Sequence, residues 1–232
     1  MIIASCLCPT FNRLSLLEEA VESFLRQDYA HKELLILNDC AQQEIVCDSP
    51  GVTVINMPRR LSSIGEKRNF LASIAAGQVL FPWDDDDISL PHRISASIAR
   101  LGATYDYHQP KHYWLLDANG LHSDHPMSVG HNCSAFSSAL FHRVGGYPHR
   151  SLGEDAEMDR YLQYRGNAVA DVWLPIEDWF YIYRWDVTQH TSSMGEDGYD
   201  RLGKVDVTPG RFVLNPHWDQ PYDEMVEGFA RA

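Results

Sequence analysis

At 232 residues, 44% hydrophobic and 11% aromatic, the chain can bury one substantial core, which excludes a disordered or low-complexity protein. Its 32 acidic and 19 basic residues leave a net charge of −13, which opposes nonspecific adhesion to nucleic acid or to anionic membrane. No apolar stretch approaches the ~20 residues that a bilayer-spanning helix needs, and five cysteines without a regular framework fit a reduced, cytoplasmic setting.

Ile2 to Cys8 is a continuous run of apolar and small residues ending at Pro9-Thr10, the pattern of a strand buried on both faces. Cys6 and Cys8 then share one face and read as core packing. Leu14, Leu17, Ala20, Val21, Phe24 and Leu25 recur at helical spacing, with Glu18, Glu19 and Glu22 between them. Leu34 to Leu37 reads as a second buried strand ending in Asn38-Asp39, and Val52 to Ile55 as a third ending near Pro58. A helix is expected from Ile64 to Ala76, stopped by Gly77, because glycine takes positive φ without penalty. Val79 to Trp83 follows as a strand, and Pro91 fits the first turn of a helix running to about Leu101. Alternation of this kind predicts an α/β domain: an open, mostly parallel sheet with helices on both faces, collecting ligands at the carboxyl ends of its strands. Thr10, Asp39, Pro58 and Asp84 all lie at such ends.

The second half is less regular. Tyr105 to Pro126 is rich in His, Tyr and Asp, and Gly145-Gly146-Tyr147-Pro148 is a strong turn. Glu157 to Arg165 reads as a short helix, Val169 to Leu174 and Trp179 to Trp185 as aromatic strands, and the chain from Met194 onward as a tail lying over the domain.

The feature that asks for chemistry is the run of four aspartates, Asp84 to Asp87, where the Val79 to Trp83 strand surfaces. Four adjacent like charges repel one another unless a divalent cation or a solvated loop relieves them. Taken alone, the run is either a metal site or an acidic turn before the next helix.

Several segments together resemble the family 2 glycosyltransferases, which have the A-type nucleotide-sugar-binding (GT-A) fold. These are Cys8-Pro9-Thr10-Phe11-Asn12-Arg13, the helix over 16–28, Leu34 to Asp39, Gly65-Glu66-Lys67-Arg68-Asn69 with Ala76-Gly77, Asp84-Asp85-Asp86 as a D-x-D element, and Gly153-Glu154-Asp155. They fall in the family's order, roughly from Ile2 to His190. The resemblance implies an enzyme that moves a sugar, with inversion, from a nucleotide-sugar donor, UDP being the first choice, to an acceptor hydroxyl on a glycan, a lipid or a nucleic acid.

It also implies roles for particular residues. Pro9, Thr10, Asn12 and Arg13 form the loop at the donor, Asp39 accepts a hydrogen bond from the base, and Arg68, with Lys67 nearby, offers positive charge to the diphosphate or base. Asp84 reaches the ribose or the metal's water shell, with Asp85 beside it at the donor. Asp86 ligates Mn²⁺ or Mg²⁺, and His190 is a second candidate ligand. Asp85 and Asp87 are otherwise read as the solvated remainder of the run, with Asp87 available to cap the helix near Pro91. Asp155 is the expected base for the acceptor hydroxyl, with Glu154 as the alternative, although acids there also suit a helix N-terminus. On this reading residues 1–101 are the nucleotide-sugar-binding half, 102–193 the acceptor-binding and catalytic half, and 194–232 a tail packed on the domain. Tyr181 stands where the Q-x-x-R-W signature of processive synthases has Gln, so processivity is not implied.

Three rival readings stay open on sequence alone. A nucleotidyltransferase would need a glycine-rich phosphate loop that Cys8 to Arg13 lacks. A nucleotide-sugar-binding module without turnover would have lost its base, yet Glu154 and Asp155 are both present. Transfer to a modified base in DNA would call for a local basic groove, for which Lys111, Arg143 and Arg150 are available. Tyr105, Tyr107, His108, His112, Tyr113, Trp114, Trp173, Trp179 and Trp185 could line a sugar-stacking groove or form core.

Overall fold

A computed structural model describes residues 2–123, 130–169, 174–185 and 206–230. The first half runs β1 (Ala4–Thr10), α1 (Leu14–Leu25), β2 (Lys32–Asn38), β3 (Gln43–Val46), β4 (Val52–Asn56), α2 (Ile64–Ile74), β5 (Val79–Pro82), β6 (Ile88–Ser89) and α3 (Arg93–Leu101). The second half adds β7 (Tyr107–His108), β8 (Trp114–Asp117), β9 (Gly120–Ser123), β10 (Ala135–Ser137), α4 (Ser138–Val144), α5 (Glu154–Arg165), β11 (Ala168–Val169), β12 (Tyr181–Arg184), β13 (Gly210–Val213) and α6 (Tyr222–Ala230).

A seven-stranded sheet has the order β11-β7-β10-β5-β1-β2-β4. Its pairs are parallel except where β10 meets β5 and β7. The mostly parallel sheet read from the sequence is therefore present, and strands from both halves of the chain share it. Side chains alternate from β1 and β2 into two cores. Ala4, Cys6, Cys8, Leu34 and Ile36 pack with Leu17, Val21 and Phe24 of α1, while Leu7, Leu35 and Leu37 pack with Leu71 of α2 and Leu162 of α5. Burial on both faces is why these strands are unbroken apolar runs rather than alternating ones. Cys6 and Cys8 are core, as their shared face predicts.

Several boundaries differ from expectation for identifiable reasons. Helix α2 ends at Ile74 with Ala75 extended, so Gly77 is not its cap. Gly77 instead lies against β1, where a Cβ would stand 2.4 Å from Ser5 Oγ. Pro91 precedes the His92 N-cap of α3 instead of occupying its first turn, and α5 starts at Glu154 rather than Glu157. The part of the Val169 to Leu174 expectation beyond Val169 lies mainly outside the described residues.

Pro82 is tolerated at the end of a central strand because β10 pairs only with Val79 and Leu80, so its missing N–H costs no ladder bond on that side. The next peptide donates normally, from Trp83 N–H to the Leu7 carbonyl at 2.9 Å, and the Trp83 indole donates to the Ala20 carbonyl at 3.0 Å. Arg93 is fully buried, donating to the Pro82 carbonyl at 2.8 Å, the Asn132 carbonyl at 2.6 Å and Ser89 Oγ at 2.8 Å. A guanidinium with planar, directed donors can join two backbone carbonyls and a hydroxyl from three segments in this way where lysine could not.

A four-stranded sheet of order β6-β12-β8-β9 packs a third core around Ile88, Trp114, Trp179, Phe180, Tyr181, Ile182 and Tyr222. Strand β13 pairs in parallel with β3, bringing the C-terminal segment onto the first half. The aromatic residues are chiefly core: Tyr107, His108, His112, Tyr113, Trp114 and Trp179 are buried, which overturns the stacking-groove option for them. Tyr105 and Trp185 are exposed, and Trp173 lies outside the described residues.

Candidate active site

The carboxyl ends of β1, β2 and β5 converge with the start of α5. At the end of β1, Thr10 Oγ1 donates to Asp85 Oδ2 at 2.7 Å, and Arg13 Nη1 lies 3.1 Å from Asp85 and 2.7 Å from Asp86. Asn12, between them, takes a left-handed φ of 54°, which asparagine accepts more readily than most side chains. It accepts a hydrogen bond from Gln43 Nε2 at 2.8 Å and donates to the Asp206 carbonyl at 3.4 Å. Pro9 is the penultimate residue of β1, in register with Leu37.

At the end of β2, Asp39 is buried against Lys67 Nζ at 2.6 Å and accepts from the Leu61 N–H at 3.0 Å. Both its oxygens are engaged by the protein itself. Arg68, the next residue of α2, lies 3.0 Å from Asp84 and also within electrostatic reach of Glu154 and Asp155.

The motif Gly65 to Asn69 explains how α2 reaches α5. A Cβ at Gly65 would stand 1.9 Å from the Pro148 carbonyl oxygen, so only glycine permits that approach. Asn69 then bonds Tyr147 twice, donating to its carbonyl at 2.9 Å and accepting from its N–H at 2.8 Å. Gly146 has a φ of 81°, and a Cβ there would lie 2.7 Å from Asn69 Oδ1. The Gly65–Asn69 and Gly146–Pro148 segments are two halves of one joint. Tyr147 presents its ring 5.5 Å from the Arg68 guanidinium and shares its hydroxyl with His131, whose Nδ1 lies 2.7 Å from Asp159.

The four aspartates divide differently from expectation. Asp84 and Asp86 are half-buried, whereas Asp85 and Asp87 are only 5% and 3% exposed and are not a solvated remainder. Asp87 accepts from the Tyr181 hydroxyl at 2.5 Å and from the Arg184 N–H at 2.9 Å; it does not cap α3. One oxygen each from Asp84, Asp86 and Asp87 falls within 4.8 Å of the others. Burial raises the Asp84 carboxyl against the opposing pull of Arg68, and it raises Asp87 further, with repulsion from Asp86 and Asp84 added. Asp85 is pushed up to about 6 by burial, partly offset by Arg13. Three hard oxygen donors held together at an electrostatic cost are a chemically suitable set for Mg²⁺ or Mn²⁺. His190 lies outside the described residues.

Glu154 and Asp155 open α5 behind Gly153, whose φ is 69°. Glu154 is buried and its carboxyl is raised, first by burial and then by Asp155 and Asp84, against the pull of Arg68. Asp155 is half-buried and accepts from the Ala156 N–H at 2.7 Å. A cleft of about 560 Å³ opens beside the acids and is lined in part by Asp86, Asp117, Arg184 and Trp185.

The site thus brings together Thr10, Arg13, Arg68 and Asp84 to Asp86 with the start of α5, while Asp39 is paired away with Lys67. Sequence reading missed Tyr147, His131, Arg93 and Arg184 as contributors, and it took Lys67 as charge beside Arg68 for the diphosphate or base, not as the partner of Asp39. Only Arg184 had a local signal, its place in Tyr181 to Trp185.

The chain is similar to known proteins in both sequence and fold. WcaA of Escherichia coli (strain K12), whose name assigns it to colanic acid biosynthesis as a glycosyl transferase, is 34% identical over 104 residues, covering 42% of this chain and 37% of its own. An uncharacterized glycosyltransferase of Haemophilus influenzae is 28% identical over 91 residues, covering 38% of this chain and 31% of its own. The matches therefore span about a third of the length of these relatives. Among solved structures, S. aureus TarS 1–349 in complex with UDP-GlcNAc superposes with a TM-score of 0.65 at 17% identity, covering 86% of this chain and 64% of that one. The mannosyltransferase PcManGT from Pyrobaculum calidifontis, in complex with GDP-Man and Mn²⁺, superposes with a TM-score of 0.58 at 13% identity, covering 99% of this chain and 69% of that one. These two likenesses establish the GT-A fold. The model of the family described as glycosyl transferase family 2 matches residues 5–128, the stretch that holds the β1 loop, the Asp39 strand end, α2 and all four aspartates, and the chain belongs to that family.

Proposed function

We propose that the chain is an inverting, metal-dependent glycosyltransferase that moves a sugar from a nucleoside diphosphate, UDP as first choice, to an acceptor hydroxyl, with a glycan as the first-choice acceptor. The observation that carries this reading is the gathering of Asp84, Asp86 and Asp87 oxygens within 4.8 Å, flanked by Arg13 and Arg68. Asp84 and Asp86 would hold Mn²⁺ or Mg²⁺, with Asp87 as a third oxygen donor. Such an ion supplies neutralisation of the charge that develops on the departing diphosphate.

The chain's own residues supply the rest. Asp155 takes the proton of the acceptor hydroxyl as its oxygen bonds to the anomeric carbon, and the carbon–oxygen bond to the diphosphate breaks with its electron pair leaving on the diphosphate. Glu154, buried beside Arg68, is better suited to holding that guanidinium than to meeting an acceptor. Arg68 and Arg13 already compensate the acids and are the cations nearest the expected diphosphate. Thr10 fixes Asp85, while Pro9 and Asn12 shape the loop that the donor meets. The base end of the donor falls to the Asp39–Lys67 pair, which must part for Asp39 to accept from a base.

The chemistry disfavours nucleic acid as the acceptor. Of the three residues available for a basic groove, Arg143 is paired with Asp106 at 3.3 Å and Arg150 with Glu157. A cytoplasmic setting stays part of the reading, supported by cysteine usage. No helix among the described residues is long and apolar enough to cross a membrane.

Incubation of the purified chain with Mn²⁺ and a panel of UDP- and GDP-sugars tests the proposal. Donor hydrolysis or transfer is expected, lost in Asp86→Ala and on chelation; activity that survives both refutes it.

A further inference from the structure

We infer that Glu19 and Tyr222 are positioning residues for the metal-binding aspartates, so that the C-terminal segment of the chain is a working part of the site. The inference rests on the metal reading above. It concerns residues that supply none of the three gathered oxygens and that line the cleft beside them.

The connection is a continuous run of hydrogen bonds. Arg184, at the end of β12, donates from its backbone N–H to Asp87 Oδ1 at 2.9 Å and from Nε to the Asp86 carbonyl at 2.5 Å. One residue therefore meets both acids, its side chain at the backbone that aims Asp86 and its own backbone N–H at the carboxylate of Asp87. Arg184 is held in turn by Glu19, a carboxylate buried on α1, which its Nη1 meets directly. Three groups of the C-terminal segment close on that glutamate. The Tyr222 hydroxyl donates to Oε1 at 2.7 Å, the Asp219 N–H donates to Oε1 at 3.1 Å, and the Trp218 indole donates to the Glu19 carbonyl at 3.2 Å and to Ser23 Oγ at 3.0 Å. Arg184 Nη1 also lies 3.2 Å from the Tyr222 hydroxyl, closing a triangle.

Burial gives the triangle its force. Glu19 is 2% exposed and Tyr222 is 1% exposed, so a lost partner is replaced by water only at a cost. Removing the Tyr222 hydroxyl leaves Glu19 short of a donor and frees Arg184 to shift. Such a shift of the side chain releases the Asp86 carbonyl and so the backbone that aims the Asp86 carboxylate. Groups bonded directly to a metal-ligating residue, as Arg184 is to Asp86, typically change metal affinity 10–100-fold when lost, and Glu19 and Tyr222 act through that arginine. Strand β13 anchors the same segment from the other side through its pairing with β3.

Mn²⁺ titration followed by the electron paramagnetic resonance signal of free Mn²⁺, without donor, tests this on the full chain. Wild type, Tyr222→Phe, Glu19→Gln and a matched control, Tyr29→Phe, are compared. Tyr29 also loses a protein hydrogen bond, to the Ile2 carbonyl at 2.9 Å, but lies outside this network. The expected result is a loss of Mn²⁺ affinity of up to about tenfold in Tyr222→Phe and Glu19→Gln and none in Tyr29→Phe, with similar melting temperatures for the two tyrosine variants. Should Glu19→Gln fail to fold, Tyr222→Phe decides. Wild-type affinity in Tyr222→Phe overturns the inference while leaving the metal reading intact. Absence of Mn²⁺ binding in the wild type itself overturns the metal reading, and this inference with it.

Discussion

Replacing Asp87 by alanine separates the structure's division of the acid run from a simple charge count. Asp87 accepts from the Tyr181 hydroxyl and from the Arg184 N–H, and Tyr181 is itself fully buried. Alanine orphans two buried donors at about 1–3 kcal/mol each. Relief of repulsion with Asp84 and Asp86 returns part of this, so a net loss of about 2–3 kcal/mol is expected. For a chain of this size 1 kcal/mol shifts the melting temperature by roughly 2–4 °C, which puts the shift at roughly 4–12 °C. Asp86→Ala loses its pair with Arg13, but Arg13 keeps Asp85 at 3.1 Å and the neighbouring acids are relieved, so its change should be smaller than that of Asp87→Ala. Urea and thermal unfolding in EDTA read both variants without metal. A cycle with Tyr181→Phe should recover a coupling of roughly 0.5–3 kcal/mol between positions 87 and 181. An Asp87→Ala variant as stable as wild type, or one less harmed than Asp86→Ala, would refute the assignment of Asp87 as a buried, bonded carboxylate.

Three further outcomes follow from the geometry. Asp155→Asn should lower kcat by roughly 10²–10⁴-fold while leaving donor affinity by calorimetry unchanged; a matching loss in Glu154→Gln alone would transfer the role of base. Gly65→Ala places a Cβ 1.9 Å from the Pro148 carbonyl oxygen and should destabilise the fold by at least about 1–3 kcal/mol in urea unfolding, with an unchanged midpoint counting against the α2 joint. Glu154 has a folded-state carboxyl raised above its ordinary 4.5, so the native state binds its proton more tightly and stability falls as pH rises from 4.5 through the raised value. Glu154→Gln removes that fall and should gain stability relative to wild type between pH 4 and pH 7, whereas a difference independent of pH contradicts the burial argument.

The parts of the fold legible in the sequence are those decided locally or by long apolar runs. Cys6 to Cys8, Leu34 to Leu37 and the 14–25 periodicity announce their elements because burial on both sheet faces admits little else. Strand β3 was missed because Gln43-Glu44-Ile45-Val46 gains its ladder only from residues 210–213. The acids were legible as a metal candidate, but not their division. What buries Asp85 and Asp87 comes from Thr10, Arg13, Tyr181 and Arg184, up to 97 residues away, and no local pattern encodes that approach. Asp39 is placed at the base by resemblance, and it is closed by Lys67, a residue whose helical position alone fits a solvated face equally well. The Gly65–Asn69 motif was recognised by resemblance, while its physical reason, the contact with residues 146–148, needed the structure.

The central claim is that Asp84, Asp86 and Asp87 hold a divalent ion on which sugar transfer depends. Isothermal titration of Mn²⁺ into wild type and Asp86→Ala, followed by the same titration of a UDP-sugar with and without Mn²⁺, tests it most directly. The account predicts one Mn²⁺ site that Asp86→Ala abolishes, and donor binding that strengthens when the site is filled. Equal Mn²⁺ binding by both proteins, or donor affinity indifferent to Mn²⁺, would contradict it.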